Sequence, residues 1–323
     1  MVLVAVVAAV FYLHRSGSAE DSGPARQDGP FMVASIALSH PAELAVDPQN
    51  GTVYATQVGG KTLWAIDETT RNPRTIGIEL DVMPTGMTVD PVAHTLYVTA
   101  TSYGKGGNGS PEGILMMIDP AAQVVTATVK VGKNAGALVV DSAGQFAYVG
   151  THDGLAVVDL RARRVATVIA AASDVGSGMA IDPGTDTVYA IAAAAVLAVD
   201  SRTRTVSARI PIESEAAGIA VDSSTHTVYA TEDQADAVAA VDGPQQAKIP
   251  VRSGPGGVAV DPSTHTVFVA NFKDGTVSVV NGATESTIAT ITVGERPYRA
   301  AVDARSHTAY VSTAAGIKAL TPA

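Results

Sequence analysis

The side chains best suited to acid–base or metal chemistry in these 323 residues are seven histidines, and no cysteine accompanies them. Four of them, His94, His226, His265 and His307, share one context: each lies four residues after an aspartate and directly before a threonine. His14 falls in an apolar leader, and only His40 and His152 stand outside any pattern. A second group has binding potential. Arg296, Tyr298 and Arg299 bring two guanidinium groups and a phenol close together, and Arg's planar donor fork suits a carboxylate or phosphate. Signatures of enzymes are thin. There is no Gly-x-Ser-x-Gly, no His-Glu-x-x-His and no P-loop; GKGGNGS (Gly104 to Ser110) lacks the closing Gly-Lys-Ser/Thr and starts no helix.

What positions these residues is a repeat. Alternating apolar stretches end in Asp47, Asp90, Asp141, Asp182, Asp222, Asp261 and Asp303, at spacings of 39 to 51 residues. Each is followed by short β-branched runs separated by Asp, Gly, Asn or Pro, the pattern of strands and turns. The copy around Asp261 is the clearest. Its strands are Gly257 to Val260 (A), Val267 to Asn271 (B), Thr276 to Val280 (C) and Ser286 to Val293 (D). The Ala-rich run Ala192 to Ala195 falls at a B–C connection and reads as a small-residue strand junction.

A repeat of about 43 residues built from four strands is the signature of a propeller blade, and one blade cannot bury both faces of its sheet. The expected fold is all-β, a seven-bladed β-propeller of four-stranded antiparallel blades. The last copy has strands at Thr308 to Ser312 and Gly316 to Leu320 but no strand D. VASIALSHP, Val33 to Pro41, matches the D strand and crossing of blade six. Residues 31–38 are therefore expected to pair with Gly316 to Leu320 and close the ring, removing two open sheet edges.

The stretches LYVTA (Leu96 to Ala100), VYAT (Val53 to Thr56 and Val228 to Thr231), FVANF (Phe268 to Phe272) and AYVST (Ala309 to Thr313) resemble the YVTN-type seven-bladed propeller family. GTVSVV and STIATI fit that family's repeat as well. The resemblance covers roughly residues 31–323. It implies the fold but not one function, because members include surface proteins, binding modules and a few that act on small molecules or nucleic acid. No blade carries the Gly-His and Trp-Asp signature of WD40 repeats. One tryptophan, Trp64, cannot supply the Trp-rich motif of quinone-dependent dehydrogenase propellers.

The net charge of −10 is explained largely by turns. The seven strand-A aspartates, and Asp67, Asp119, Asp159, Asp200 and Asp242 at the ends of strands C, sit where a short carboxylate accepts backbone N–H groups. That charge disfavours a phosphate backbone as partner. Residues 1–13 are continuously apolar, too short for a span of about 20 residues. They match a signal-peptide core without its basic start, or the end of a membrane helix. The expected organisation is a leader or anchor at 1–15, a polar linker at 16–30 and the propeller at 31–323. The location is expected to be extracytoplasmic, secreted or anchored, with membrane contact only through residues 1–13.

Sorting loops by face places the candidates. A–B and C–D turns lie on one face; B–C loops and D–A crossings lie on the other, around the mouth of the channel. The four repeated histidines occupy A–B turns of separate blades, which splay outward from sheets packed about 10 Å apart, so they cannot share one ion needing ligands at about 2 Å. No metal site and no cofactor is expected. On the mouth face lie His40, Tyr103, His152, Glu232, Arg252, Asn271, Arg296, Tyr298 and Arg299, with Gln57, Glu213, Asp233 and Lys273. Thr101 to Glu112 reads as a long B–C loop that lengthens repeat two.

Three functions compete. The leading one is a monomeric binding module for a protein or a small anionic ligand, without catalysis. The second is a lactonase-like hydrolase or lyase, with His40 or His152 as acid/base and the arginines holding an anion. The third is a single-strand nucleic-acid binder stacking bases on Tyr103, Phe272 and Tyr298, disfavoured by the acidic charge and by an aromatic content of 5%.

Overall fold

A computed structural model of the chain describes residues 30–80, 82–102, 110–170 and 175–323. It is a ring of seven four-stranded antiparallel sheets. Blade six runs Pro255–Asp261, Thr266–Asn271, Thr276–Asn281 and Ser286–Thr292, within two residues of the boundaries read from sequence. The strands flanking Ala193 and Ala194 end at Ala192 and resume at Ala195, as the small-residue junction required. Repeat two departs from expectation. Its strands B and C run Thr95–Ser102 and Glu112–Asp119, so Thr101, Ser102 and Glu112 belong to the ladder rather than to a loop. The expected leader (1–15) and linker (16–30) lie outside the described residues except for Pro30.

The ring closes through its N-terminus. Phe31–Ile36 pairs antiparallel with Gly316–Pro322, in register from Phe31 opposite Pro322 to Ile36 opposite Ile317. Ala323 N–H then donates to Pro30 O at 3.0 Å. The chain thus enters the ring on the A–B/C–D face.

The A–B turns are built alike. One carboxylate oxygen of the strand-A aspartate accepts the N–H two residues on, as in Gln49 to Asp47 (3.1 Å), Ser224 to Asp222 (3.0 Å) and Arg305 to Asp303 (2.8 Å). The residue four positions after each aspartate then adopts left-handed backbone, with φ between 51° and 64° at Gly51, His94, Gln145, Asp186, His226, His265 and His307. That region tolerates Gly, Asn, Asp and His better than other residues.

The same geometry throws the histidine ring across the seam. Nδ1 of His94 meets Asp47 Oδ2 (2.7 Å), His226 meets Asp182 (2.7 Å), His265 meets Asp222 (2.8 Å) and His307 meets Asp261 (2.7 Å). In each pair the aspartate belongs to the preceding blade. The repeated histidines are therefore staples between neighbouring blades. Replacing His265 with Asn keeps a residue that tolerates φ near 55° but is too short to reach Asp222. The expected cost is about 1 kcal/mol, one net hydrogen bond, read as a lower urea midpoint with unchanged slope.

The core is seven apolar slabs, one in each seam. Between blades one and two it contains Leu63, Ile76, Leu96, Val98 and Ile118, and at the closing seam Ile36, Leu38, Val53, Ile66 and Ile317. A strand-B tyrosine stands in most seams. Tyr148 OH crosses to donate to Ser201 O (2.9 Å), and Tyr310 OH donates to Glu68 Oε1 (3.1 Å). Burial pushes the phenols of Tyr97, Tyr148 and Tyr229 up to about 12, so they remain neutral near pH 7.

Candidate functional site

The mouth is shaped by irregular starts to the innermost strands. Strand-A ladders skip between Pro41 and Leu44, Pro84 and Gly86, Val175 and Met179, Ala216 and Ile219, and Pro255 and Val258. Hydroxyls of strand B take over the freed backbone groups. Glu43 N–H donates to Thr56 Oγ1 (3.0 Å), Gly218 N–H to Thr231 Oγ1 (2.9 Å) and Arg299 N–H to Ser312 Oγ (2.9 Å), while Thr99 Oγ1 donates to Gly136 O (2.6 Å). The inner strands of adjacent blades approach so closely that glycine is required. A Cβ on Gly136 would lie 2.8 Å from Gly176 O, and one on Gly257 2.5 Å from Tyr298 O.

The central cavity they surround is about 140 Å3, below the 300–1,000 Å3 typical of small-molecule sites. Its lining is Gly, Ala, Ser, Thr, Met and aliphatic side chains, with one charged pair, Glu43 and Arg299. Arg299 Nε donates to Glu43 Oε1 at 3.0 Å, and its guanidinium carbon lies 4.5 Å from the centre of the Tyr298 ring. Burial works against the Arg299 charge, but the Glu43 carboxylate and the Tyr298 phenol outweigh it and hold the guanidinium above its ordinary range. Arg299 and Tyr298 are thus brought together, with Glu43 as the partner that completes them.

The other candidates are spread around the rim. His40 is exposed in the crossing into blade one, with left-handed backbone (φ 47°), and His152 is exposed in the B–C loop of blade three, two blades away. Glu232 is buried at the end of strand B in blade five, and its Oε1 accepts Glu213 N–H at 2.6 Å. Glu213 itself pairs with Lys248. Asn271 is buried within blade six; its amide nitrogen donates to Arg252 O (3.2 Å) and its oxygen accepts Ser278 N–H (3.1 Å). Lys273 pairs with Asp233 at 2.8 Å. Gln57 accepts Trp64 Nε1–H (2.9 Å) and donates to Ser39 O (2.8 Å). Arg252 and Arg296 are exposed, in crossings into adjacent blades. Tyr103 lies outside the described residues.

Reading the sequence by repeat missed one cluster, at the closing seam on the opposite face. Arg305 Nη2 donates to Glu68 Oε2 (3.2 Å) and stands 3.6 Å from Asp303 Oδ2. Burial, a hydrogen bond to Asp303 and the charge of Asp303 raise the Glu68 carboxyl to about 7. The available signal was Gly51, which replaces histidine at the staple position of blade one. Among the described residues no group of three or more His, Cys, Asp or Glu is arranged to hold a metal ion.

No family model and no curated protein matches this chain. Among solved structures, 1487 chains match, so the architecture by itself selects no function. One is hydrazine synthase of Kuenenia stuttgartiensis, 14% identical, with a TM-score of 0.73 over 95% of this chain and 99% of that chain. At that identity the likeness is one of fold.

Proposed function

We propose that the protein is an extracytoplasmic binding module of the YVTN-repeat type, which offers the B–C/D–A face of its ring to a partner protein and performs no catalysis there. One observation carries this reading: Glu43, Glu232 and Arg299 of that face are spent on the fold, and what is left exposed is a set of apolar and aromatic side chains with scattered cations rather than a compact acid–base cluster. General acid–base chemistry needs a titratable group within reach of a substrate. Glu43, Glu232, Arg299 and Lys273 instead hold loops and crossings together.

Val58, Met83, Phe272 and Tyr298 are between 41% and 54% exposed. They occupy the loops of blades one, two, six and seven, one continuous sector of the ring. Arg252, Arg296 and His40 lie among them. Aromatic residues and arginine in one patch are the composition of interface anchors, and the cations favour a partner that presents carboxylates. The point of entry of the chain supports the orientation. An anchor formed by residues 1–13 would approach from the A–B/C–D side and leave the mouth face turned outward. The blade-by-blade placement of LYVTA, VYAT, FVANF and AYVST on strands B supports the YVTN-type assignment.

Photo-crosslinking tests the reading. A photoreactive side chain at Tyr298, in the full-length protein in its own cells, is expected to give one discrete adduct. The same group at Val92, 72% exposed on the A–B face, is expected to give none. Equal labelling from both faces, or no adduct from Tyr298, would count against the proposal.

A further inference from the structure

The seam between blades one and two contains a cleft of about 440 Å3, a size typical of small-molecule sites. It opens on the A–B/C–D side, away from the mouth. Its origin lies in the C–D turns. The residue four positions after the strand-C aspartate is left-handed in blades one to four: Arg71, Gln123, Arg163 and Arg204, with φ between 53° and 59°.

In three of these blades an arginine there lies back over the preceding blade. Arg71 Nη2 donates to Thr321 Oγ1 of blade seven (3.4 Å), and Arg163 Nη1 to Thr126 O of blade two (3.3 Å). The Arg204 guanidinium sits 4.1 Å from the centre of the Phe146 ring of blade three. Blade two has Gln123 in that place, a shorter side chain without the guanidinium fork. The seam in front of it is left without an arginine plug.

What faces the space is polar and asymmetric. Arg74 enters from strand D of blade one and makes no hydrogen bond or ion pair with another described residue. His94 has Nδ1 committed to Asp47 (2.7 Å), which leaves Nε2 for the cleft. Asp47 is fully used, since its second oxygen accepts Gln49 N–H (3.1 Å). Asp119 holds Ala121 and Ala122 N–H through Oδ1, both at 2.9 Å, and no described residue donates to its Oδ2, which remains to accept a hydroxyl. The cleft therefore offers for an anion a guanidinium that, among the described residues, has no hydrogen-bond or ion-pair partner and feels the more distant charge of Asp67, and beside it one carboxylate oxygen for an alcohol.

From this geometry we infer that the seam between blades one and two is a binding site for a small hydroxylated anion, such as a sugar acid or sugar phosphate. Arg74 takes the charged group and Asp119 a hydroxyl. The site does not depend on the partner face, because it lies on the other side of the ring.

Calorimetric titration of the full chain with glucuronate, glucose 6-phosphate and glucose tests it. At least one charged sugar is expected to bind, and glucose at least tenfold more weakly. Arg74→Met, which removes the charge at an exposed position, should weaken binding at least tenfold. Gln123→Arg restores the plug used in three other blades; it should fold with an unchanged or higher melting temperature and lose binding to the same extent. Arg296→Ala, at the mouth, should bind as wild type does. No binding by either charged sugar, equal binding of glucose, or full binding by Gln123→Arg would overturn the inference. Adduct formation from Tyr298 should persist in Gln123→Arg, so failure of one proposal is separable from failure of the other.

Discussion

A chain that begins at Glu43 is expected to lose cooperative folding or to aggregate, although it retains 27 of the 28 strands apart from the first residues of one. The loss is concentrated at the seam that closes the ring. Ile36 and Leu38, 1% and 6% exposed, fill the slab between blades seven and one. Phe31 and Val33 pack on the other side of the same sheet, where the rings of Phe31 and Phe268 meet edge to face at 5.5 Å. Burying Ile36 and Leu38 is worth roughly 1.5–3 kcal/mol each and the half-buried Phe31 and Val33 about half as much, so their removal costs about 5–9 kcal/mol. Whole domains are stable by only about 5–15 kcal/mol. The truncation also bares the edge of Gly316–Pro322, an invitation to intermolecular pairing. Size-exclusion chromatography and a thermal melt against the full-length chain decide the matter. Identical melts would mean that strand 31–36 does not close the ring.

The closure was legible because it follows from counting strands, and counting survives every detail of side-chain geometry. The same holds for the faces to which His40, His152 and the turn histidines belong. What those histidines bond to was not legible. A partner in the preceding blade depends on the angle between sheets and on a left-handed residue at 94, 226, 265 and 307, neither of which the local pattern states. Arg299 presented a similar limit. Its tie to Glu43 spans the whole chain and requires the irregular start of strand A in blade one. Glu232 could be placed at the mouth, but whether its carboxylate faced solvent or capped Glu213 N–H was a rotameric question. The cleft behind Gln123 did leave a mark. Alignment of the C–D turns shows arginine at 71, 163 and 204 but glutamine at 123, a difference that gains meaning only when the arginines are seen lying over the neighbouring blade.

The closing seam should also respond to pH, and the response is expected to vanish in Glu68→Gln. Four strand-A aspartates meet a histidine of the next blade, while Asp90 and Asp141 have Gln145 and Asp186 at that position. Blade one offers Gly51 instead, where a Cβ would already lie 3.2 Å from Arg305 Nη2. Asp303 therefore meets a second carboxyl, that of Glu68, whose side chain is 11% exposed. Two acids this close hold one proton between them. Burial and Asp303 raise Glu68 to about 7 against the opposing pull of Tyr310 and Arg305. Burial also pushes Asp303 upward, but hydrogen bonds from Glu68, the Arg305 N–H and Ser306 outweigh it and hold Asp303 low. The proton sits on Glu68. Since its folded value lies above the unfolded 4.5, its contribution to stability is complete below about 4.5 and is lost as pH rises through about 7. Asp303 has the opposite sign and weakens the fold only in stronger acid. At 1.36 kcal/mol per unit the full shift would be worth roughly 3 kcal/mol; allowing for partial solvation of the pair, a loss on the order of 1–2 kcal/mol between pH 5 and pH 8 is expected. Glutamine can donate to Asp303 and accept from Tyr310 without a proton to lose. Its melting temperature should match wild type at pH 5 and exceed it at pH 8. Hydrogen exchange in Phe31–Ile36, corrected for intrinsic rate, should quicken with pH in wild type and not in the variant. Parallel pH profiles for the two proteins would show that Glu68 carries its charge throughout, and that the seam is held by its apolar slab alone.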